Sequence, residues 1–364
     1  IAFYTKQENY DLGIMVSASH NLYKDNGIKI FNKNGFKISK VDENHIEDYI
    51  ENIKNKNIKL DFMESNKEIK NINISEEYIN FCLKTLEKYN TKMSLTLDLA
   101  NGSNYEIAPK VFQKAGFNLN IINDKPNGKN INDKCGSTYL NDLPSIIKSN
   151  NSEFAISMDG DGDRLVIVNQ DGLVLDGDDI LYTIIKGKKA LNEEVDGVVG
   201  TTMTNCAFEN YLDDENINFV RANVGDKNVM EKMLHNNYVL GGETSGHILM
   251  LDKSSSGDSI IAALQFLYYS DILKRKNINC ILKKYPQKIT NLLIDKESQE
   301  NIINIAIKEA TDKFSNSKLR LIIRKSGTEN CIRIMIEAKD LGLVNNASDE
   351  IKNFIKNKLT ALLL

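Results

Sequence analysis

The chain has 364 residues, of which 41% are hydrophobic and 26% are charged, with a formal net charge of −4. Such a composition is typical of an ordinary globular protein, and the length allows roughly two to four domains. Because acidic and basic residues are interspersed, the chain has no overall positive potential that would attract nucleic acid. The longest apolar runs, such as residues 180–185, are too short to span a membrane, so we expect neither nucleic acid nor a membrane as a partner.

The cysteines indicate a reducing compartment. There are five of them, an odd number, and no two form a C-x-x-C pair: Cys82, Cys135, Cys206, Cys280 and Cys331. Irregular spacing of this kind favours reduced thiols in a cytoplasmic protein over a disulfide framework. The sequence leaves the choice between monomer and homodimer open.

Strand-length apolar runs alternate with segments of helical period, which predicts an α/β protein with repeated βαβ units. The first predicted domain covers residues 1–73. Its predicted elements are a strand at 12–16, a hairpin with arms at 28–31 and 36–38 around Asn34-Gly35, a helix at 44–53 and a linker.

Two further βαβ-type domains with mixed sheets are predicted at residues 74–171 and 172–284. The first of them contains a helix from Ser75 and strands at 95–99 and 154–158. The second opens with a helix after Asp176-Gly177, continues with strands at 198–201, 219–221 and 238–240, and ends with a helix from near Gly257. Beyond Tyr285-Pro286 the order changes to strand, helix 299–313, strand, loop, strand, helix, which predicts a separate α+β domain at residues 285–364.

Polar side chains follow predicted strands at four places, and ligand sites of open α/β sheets lie at such strand ends. The first is the turn Ser17-Ala18-Ser19-His20-Asn21. Ser19 is a candidate covalent phosphoryl acceptor, and His20 or Lys29 could take or return the hydroxyl proton. The alternative is an ordinary turn or N-cap serine.

The second place is Asp159-Gly160-Asp161-Gly162-Asp163-Arg164. Three carboxylates at alternate positions can converge on one hard cation such as Mg²⁺, because the glycines let the backbone curve tightly. An EF-hand would require Glu at its twelfth position, where this chain has Gln170. The alternative is a purely structural acidic turn, which mutual repulsion of the carboxylates disfavours.

The remaining two clusters are suited to a sugar and to a phosphate. Gly241 to His247 supplies Glu, Ser and His on a glycine-containing loop that could bind hydroxyl or amino groups. Arg324-Lys325-Ser326-Gly327-Thr328-Glu329, with Arg333 beyond, combines cations, hydroxyls and backbone N–H groups around a glycine. A solvated polar loop and a basic hairpin loop are the respective alternatives.

At these residues the chain resembles the α-D-phosphohexomutase family. The motifs S-A-S-H-N with N-G-I-K, D-G-D-G-D-R, G-E-x-S-G-H and R-x-S-G-T-E occur in the family's order, as do connecting stretches at 101–103, 127–137 and 224–226. The resemblance covers nearly the whole chain. It implies four domains around a central cleft, each of which contributes one loop.

The resemblance further implies an intramolecular phosphotransferase that shifts a phosphoryl group between the 6 and 1 positions of a hexose through a bisphosphorylated sugar. It implies phosphate on Ser19 and one Mg²⁺ on Asp159, Asp161, Asp163 and the Ser19 phosphate. His20, Lys29 and Arg164 match groups near the transfer, and Lys29 is the preferred proton donor or acceptor. Residues matching the sugar loop are Glu243, Ser245 and His247, and those matching the distal phosphate site are Arg324, Ser326, Gly327, Thr328 and Arg333.

The resemblance favours a glucosamine phosphate as substrate, and hence a step toward amino-sugar nucleotides and cell-wall precursors. Glucose or mannose phosphate, or an inactive sugar-phosphate-binding fragment, are the alternatives. Leu22 and Asn330 stand where the family often has Pro, and Thr244 replaces a common Gln or Met in the sugar loop. The family's opening strand and its G-T-D-G-x-R-G loop are not found before Ile1, so we expect the chain as given to be a poor mutase.

Overall fold

The computed structural model describes residues 1–56, 69–86, 89, 91–294, 300–315, 318–326 and 330–363. The chain divides into two compact units. One comprises Ile1–Thr204 and Leu212–Leu282, and the other comprises Asn205–Tyr211 and Lys283–Leu364.

The first unit opens with a small antiparallel sheet. Its elements are α1 (Ala2–Gln7), β1 (Leu12–Val16), β2 (Ile28–Asn32) and α2 (Lys40–Asn55). The predicted strand 12–16 is confirmed, whereas the predicted arm at 36–38 contributes only an isolated bridge from Lys37 to Phe31. Helix α2 begins four residues earlier than predicted, because the Ser39 side chain accepts the Asp42 N–H and caps it. Much of the predicted linker, at 57–68, lies outside the described residues.

The two faces of the β1–β2 sheet differ in burial. Ala2, Thr5 and Phe31 are buried on the side of α1, whereas Leu12, Ile14, Val16 and Ile28 are more than half exposed. The described sheet here has two antiparallel strands, so a βαβ pattern is found in the second and third sheets and not in this one.

A five-stranded mixed sheet forms the second part of this unit, in the order β4-β3-β5-β6-β7. Strands β3, β4 and β5 are parallel, and β6 and β7 continue the sheet antiparallel. The predicted strand 154–158 is confirmed, and the one at 95–99 lies one residue earlier. The elements are α3 (Ser75–Lys84), β3 (Ser94–Asp98), a 3₁₀ turn (Ser103–Tyr105), α4 (Ile107–Lys114), β4 (Asn118–Ile122), α5 (Leu143–Ser149), β5 (Phe154–Met158), β6 (Leu165–Asn169) and β7 (Val174–Leu175).

The third sheet has four strands in the order β11-β10-β8-β9. Strands β8, β9 and β10 are parallel, and β11 returns antiparallel to β10. Strand β10 begins two residues later than predicted, so the Gly-Gly pair lies inside it. The elements are α6 (Gly177–Ala190), β8 (Gly197–Thr201), α7 (Cys206–Asp214), β9 (Asn218–Ala222), α8 (Asp226–Asn236), β10 (Leu240–Gly242), β11 (Ile248–Met250) and α9 (Ser259–Arg275).

The second unit contains an antiparallel sheet with two helices packed on it. Its elements are β12 (Gln287–Leu293), α10 (Glu300–Phe314), β13 (Arg320–Lys325), β14 (Cys331–Glu337) and α11 (Leu341–Leu363), with strand order β12-β14-β13. Buried side chains of both helices, including Ile303 and Ile351, pack against Ile334 of the central strand. The predicted order of elements, and with it the α+β character, is confirmed.

The fold class predicted from the sequence is therefore confirmed as a mixed α/β architecture with a C-terminal α+β part. The four domain boundaries stay a prediction. Within the described ranges, no helix is both long enough and apolar enough to cross a bilayer.

Candidate active site

The serine turn follows directly on β1. Ser19 has a left-handed backbone with φ 54°, and its N–H donates to Ser17 Oγ at 2.9 Å, which closes the turn. Left-handed backbone is uncommon for a residue with a Cβ and persists only where the surroundings fix it. Part of that fixing comes from Asn132, whose Nδ2 donates to Ser19 O at 2.9 Å and to Asn21 O at 2.8 Å.

The acidic loop follows directly on β5. Asp159 is buried, and its Oδ1 accepts the backbone N–H groups of Asp163 at 3.1 Å and Arg164 at 3.0 Å. These two bonds curl the loop around its first carboxylate, so that the side chains of Asp161 and Asp163 turn toward it. One ligand oxygen from each of the three carboxylates lies within 4.8 Å of the others.

The serine turn and the acidic loop meet, although they are 140 residues apart in sequence. Ser19 Oγ donates to Asp159 Oδ2 at 3.0 Å, and Ser17 Oγ donates to Asp161 Oδ2 at 2.6 Å. The structure thus brings together the candidate phosphoryl acceptor and the candidate metal ligands, which the sequence presented as separate motifs.

The acidic loop fits a divalent cation. In the described part of the chain, the buried oxygens Asp161 Oδ1 and Asp163 Oδ1 have no hydrogen-bond partner. Burial, followed by the charges of Asp163 and Asp161, raises the pKa of Asp159 to about 7. Converging carboxylate oxygens are the ligands that Mg²⁺ prefers, and a cation would offset their repulsion.

Lys29 lies against the same carboxylates. Its Nζ forms ion pairs with Asp161 and, at 2.8 Å, with Asp163 Oδ2. Burial alone would lower the pKa of Lys29, but the charges of Asp163 and Asp161 outweigh it and raise that pKa above its usual value. In this arrangement Lys29 is an ammonium group, which can donate a proton but not accept one.

His20 and Arg164 differ from Lys29 in how they contact the acidic loop. Burial and then the Arg164 charge lower the pKa of His20, which favours a neutral imidazole able to accept a proton. Arg164 uses its backbone N–H to hold Asp159. Among the contacts of the described residues, no hydrogen bond joins His20 to Ser19. The two residues are close because they are adjacent in the sequence.

The sugar loop is the turn between β10 and β11. The Leu165 N–H donates to Gly246 O at 3.1 Å, which docks this turn against the strand that follows the acidic loop. His247 Nδ1 consequently lies 3.5 Å from Asp163 Oδ1. Glu243 and His247 are buried, whereas Ser245 is exposed.

Two residues that sequence reasoning missed join this part of the site. Lys37 pairs with Asp226 and lies 3.6 Å from Asp163 Oδ2, and Asp226 Oδ2 lies 3.8 Å from His247 Nε2. A cavity of about 740 Å³ is lined by Lys37, Asp226 and His247, among other residues. The V-G-D stretch that contains Asp226 was noted in the sequence, but nothing in it indicated pairing with Lys37.

The fourth cluster lies in the second unit. Arg324 on β13 and Arg333 on β14 are directly opposed in the antiparallel register, and Ser326 is buried at the strand end. Two cations opposed on one face of a sheet repel each other, and a bound anion would relieve that repulsion. Gly327 and Thr328 lie outside the described residues.

Family sequence models match four consecutive parts of the chain. They describe phosphoglucomutase/phosphomannomutase α/β/α domains I, II and III, at residues 1–57, 76–172 and 176–288, and the C-terminal domain, at residues 278–353. The chain belongs to the phosphoglucomutase/phosphomannomutase family. This membership confirms the resemblance read from the four motifs, and a bound Mg²⁺ and a phosphoserine are typical of that family.

Relatives within this family share more than a third of their residues with the chain. Phosphoglucosamine mutase of Neisseria meningitidis is 36% identical over 360 residues, which cover 98% of this chain and 80% of the relative. Phosphoglucosamine mutase of Fusobacterium nucleatum is 38% identical over 373 residues, which cover 99% and 81% respectively.

Solved structures of this family share the fold. A phosphoglucomutase/phosphomannomutase family protein of Burkholderia thailandensis has a TM-score of 0.77 at 18% identity, covering 96% of this chain and 76% of that one. N-acetylphosphoglucosamine mutase of Aspergillus fumigatus, solved with GlcNAc-6P and magnesium, has a TM-score of 0.70 at 17% identity, covering 97% and 90%. At identities this low, the similarity shows a shared fold and nothing about activity.

Proposed function

We propose that this phosphosugar mutase interconverts glucosamine 6-phosphate and glucosamine 1-phosphate. The relatives that carry the name phosphoglucosamine mutase support this choice of sugar within the family. The observation that supports the chemistry most is the 3.0 Å hydrogen bond from Ser19 Oγ to Asp159 Oδ2, because it puts a nucleophilic hydroxyl at the edge of a carboxylate cluster built for a cation.

In this proposal Ser19 carries the phosphoryl group between two half-reactions. The bond from phosphorus to Ser19 Oγ breaks as a bond to the free hydroxyl of the sugar phosphate forms, which yields a bisphosphorylated sugar. The sugar hydroxyl loses its proton and the serine oxygen gains one. After the sugar turns over, its other phosphoryl group returns to Ser19 by the reverse exchange.

The charge states of the site suggest a division of the proton transfers. The ammonium of Lys29 is suited to protonate the serine oxygen when it leaves, and a neutral His20 is suited to accept the proton of the hydroxyl. Arg164 adds a positive charge beside the acidic loop. Asp159, Asp161, Asp163 and the Ser19 phosphate would hold Mg²⁺, which would supply positive charge to neutralise the transferring phosphoryl group.

Substrate binding is assigned to the other two clusters. Glu243, Ser245 and His247 would hold the sugar, with Glu243 positioned to pair with a protonated 2-amino group. Arg324, Ser326 and Arg333, with Gly327 and Thr328, would hold the phosphate that is not being transferred.

The proposal is tested by assaying the purified chain with Mg²⁺ and a hexose bisphosphate primer. Conversion of glucosamine 6-phosphate that exceeds conversion of glucose and mannose 6-phosphates supports it. A preference for glucose or mannose phosphate would make the chain a phosphoglucomutase or phosphomannomutase of the same family. Binding without turnover by this chain and by a version extended upstream would make it a sugar-phosphate-binding protein.

We further infer the four domains at residues 1–73, 74–171, 172–284 and 285–364 and a cytoplasmic location. The described sheets and the four matched family domains support the division. The odd number and irregular spacing of the five cysteines support a reducing compartment. Limited proteolysis that cut within β3 or β8 before cutting near these boundaries would contradict the division, and fractionation of the source cells tests the location.

A further inference from the structure

Asn132 lies beneath the serine turn in the segment at 127–137, to which the proposed function assigns no role. Its side chain is only 6% exposed, and its backbone is left-handed with φ 56°. Its N–H donates to Ala100 O at 2.9 Å, just beyond the end of β3. The backbone of Asn132 is therefore anchored to the segment that follows β3.

The amide of Asn132 reaches from that anchor into the serine turn. An amide nitrogen has two hydrogens, and here Nδ2 bonds two carbonyl oxygens, Ser19 O at 2.9 Å and Asn21 O at 2.8 Å. These carbonyls lie on either side of His20, and the first belongs to the residue with the left-handed backbone. The amide thereby fixes the orientation of the peptide groups that follow the nucleophile.

The same amide also contacts the acidic loop. A Cβ added to Gly160 would lie 2.7 Å from Asn132 Nδ2, closer than such contacts occur, so the backbone of the acidic loop packs directly against this amide. Asn132 thus contacts Ser19 and also Gly160, which directly follows Asp159. The Ser19 Oγ to Asp159 Oδ2 bond, at 3.0 Å, joins the same two loops. One side chain, whose backbone is bonded to Ala100, therefore contacts both loops.

We propose that Asn132 is a positioning residue for phosphoryl transfer, which acts by holding the Ser19 turn against the acidic loop. The inference rests on the proposed function of Ser19. To bond both carbonyl oxygens from this position, a side chain needs the length of Asn and two hydrogens on its terminal atom. Asp has nearly the same shape but would turn acceptor oxygens toward them, and Ala would remove both bonds.

The kinetic test compares Asn132→Asp and Asn132→Ala with a matched control, Asn127→Asp. Asn127 is exposed, and its Oδ1 accepts the Lys129 and Asn130 N–H groups, so Asp preserves its bonds while adding the same charge to the same segment. We expect kcat to fall on the order of a hundred-fold in both Asn132 variants, as for a displacement of about 1 Å, with KM for the sugar phosphate within about threefold. The control should keep the parent kcat.

Hydrogen exchange supplies a readout that is independent of turnover. In Asn132→Asp the amides of residues 17–21 should exchange faster, while those of β3 and β5 keep their protection. Faster exchange throughout the sheet would indicate a merely structural role and overturn the proposal. The proposal would also be overturned by a folded Asn132→Asp variant that keeps the parent kcat, or whose KM alone changes. If neither the parent chain nor a version extended upstream turns over the sugar phosphate, the proposed function fails, but selective exchange at 17–21 still tests what Asn132 holds in place.

Discussion

The backbone N–H of Gly225 donates a hydrogen bond of 2.8 Å to Glu243 Oε1. One oxygen of the buried sugar-loop carboxylate is therefore held by the loop that precedes α8. The bond fixes the direction of the carboxylate, and no ion pair joins Glu243 to a cationic side chain in the described part of the chain. A substrate cation could therefore pair with this carboxylate.

The first prediction concerns this carboxylate. Glu243→Gln retains an oxygen that can accept the Gly225 N–H but removes the charge, so the loop should stay in place. A charge-assisted contact is worth roughly 1.5–3 kcal/mol, so the preference for glucosamine over glucose phosphate should fall about ten- to a hundred-fold. The ratio of kcat/KM for the two sugars measures it, with exposed Glu47→Gln as control. An unchanged ratio would show that Glu243 does not determine which sugar is preferred.

The second prediction concerns Ser19. Priming with a hexose bisphosphate should place a phosphoryl group on its Oγ, and Ser19→Ala should abolish both this labelling and mutase activity, because the nucleophile is lost. Peptide mass mapping locates the phosphate. Exposed Ser145→Ala serves as the control. Phosphate found on another residue, together with a fully active Ser19→Ala, would show that the assignment is wrong.

The third prediction concerns Asp161. Asp161→Ala should abolish Mg²⁺-dependent transfer while the fold is largely kept, because the side chain lies in a loop and one of its oxygens has no partner among the described residues. Loss of one of three carboxylate ligands should remove several kcal/mol of transition-state stabilisation. Titration calorimetry with Mg²⁺ should show weakened binding, and circular dichroism should be unchanged. The exposed Asp171→Ala is the control, and near-normal turnover of Asp161→Ala would refute the metal site.

Much of the fold was predictable because its strands are short apolar runs that end at polar turns. Strands β1 and β5 were predicted at their observed bounds for this reason. Strand β6 was missed, although all five of its residues are buried, because it follows the acidic loop directly and no turn residue separates its apolar run from the motif. The arm at 36–38 was predicted from the Asn34-Gly35 turn, yet β2 forms its ladder with β1 and only an isolated bridge from Phe31 to Lys37 joins it to this arm.

The chemistry of the site was also predictable in part, because each motif is local in sequence. Ser19 and the three aspartates were each recognisable from the residues beside them. The contacts of Asn132, Lys37 and Asp226 were not, because each depends on tertiary packing between segments more than a hundred residues apart. A lone Asn or Lys carries no local pattern that would distinguish such a role from a solvated surface position.

The fourth prediction concerns Gly246, whose O accepts the Leu165 N–H and so docks the sugar loop beside the acidic loop. Its φ is +88°, and a Cβ there would lie 1.9 Å from Leu165 O. Gly128 has a similar φ of +82° but no atom within 4 Å of an added Cβ. The pair therefore separates the cost of a left-handed alanine from the cost of a steric clash.

In both alanine variants the left-handed backbone should lower the free energy of unfolding by about 1 kcal/mol. Gly246→Ala should lower it by about 1–3 kcal/mol more, because Leu165 must move. Since Leu165 follows Arg164 directly, that movement should also displace the acidic loop from the sugar loop. We expect Gly246→Ala to unfold at a lower temperature than Gly128→Ala and, while still folded, to show a higher KM for the sugar phosphate. Gly128→Ala should keep the parent KM. Equal unfolding temperatures and equal KM values for the two variants would mean that the contact between Gly246 and Leu165 does not hold the sugar loop in place.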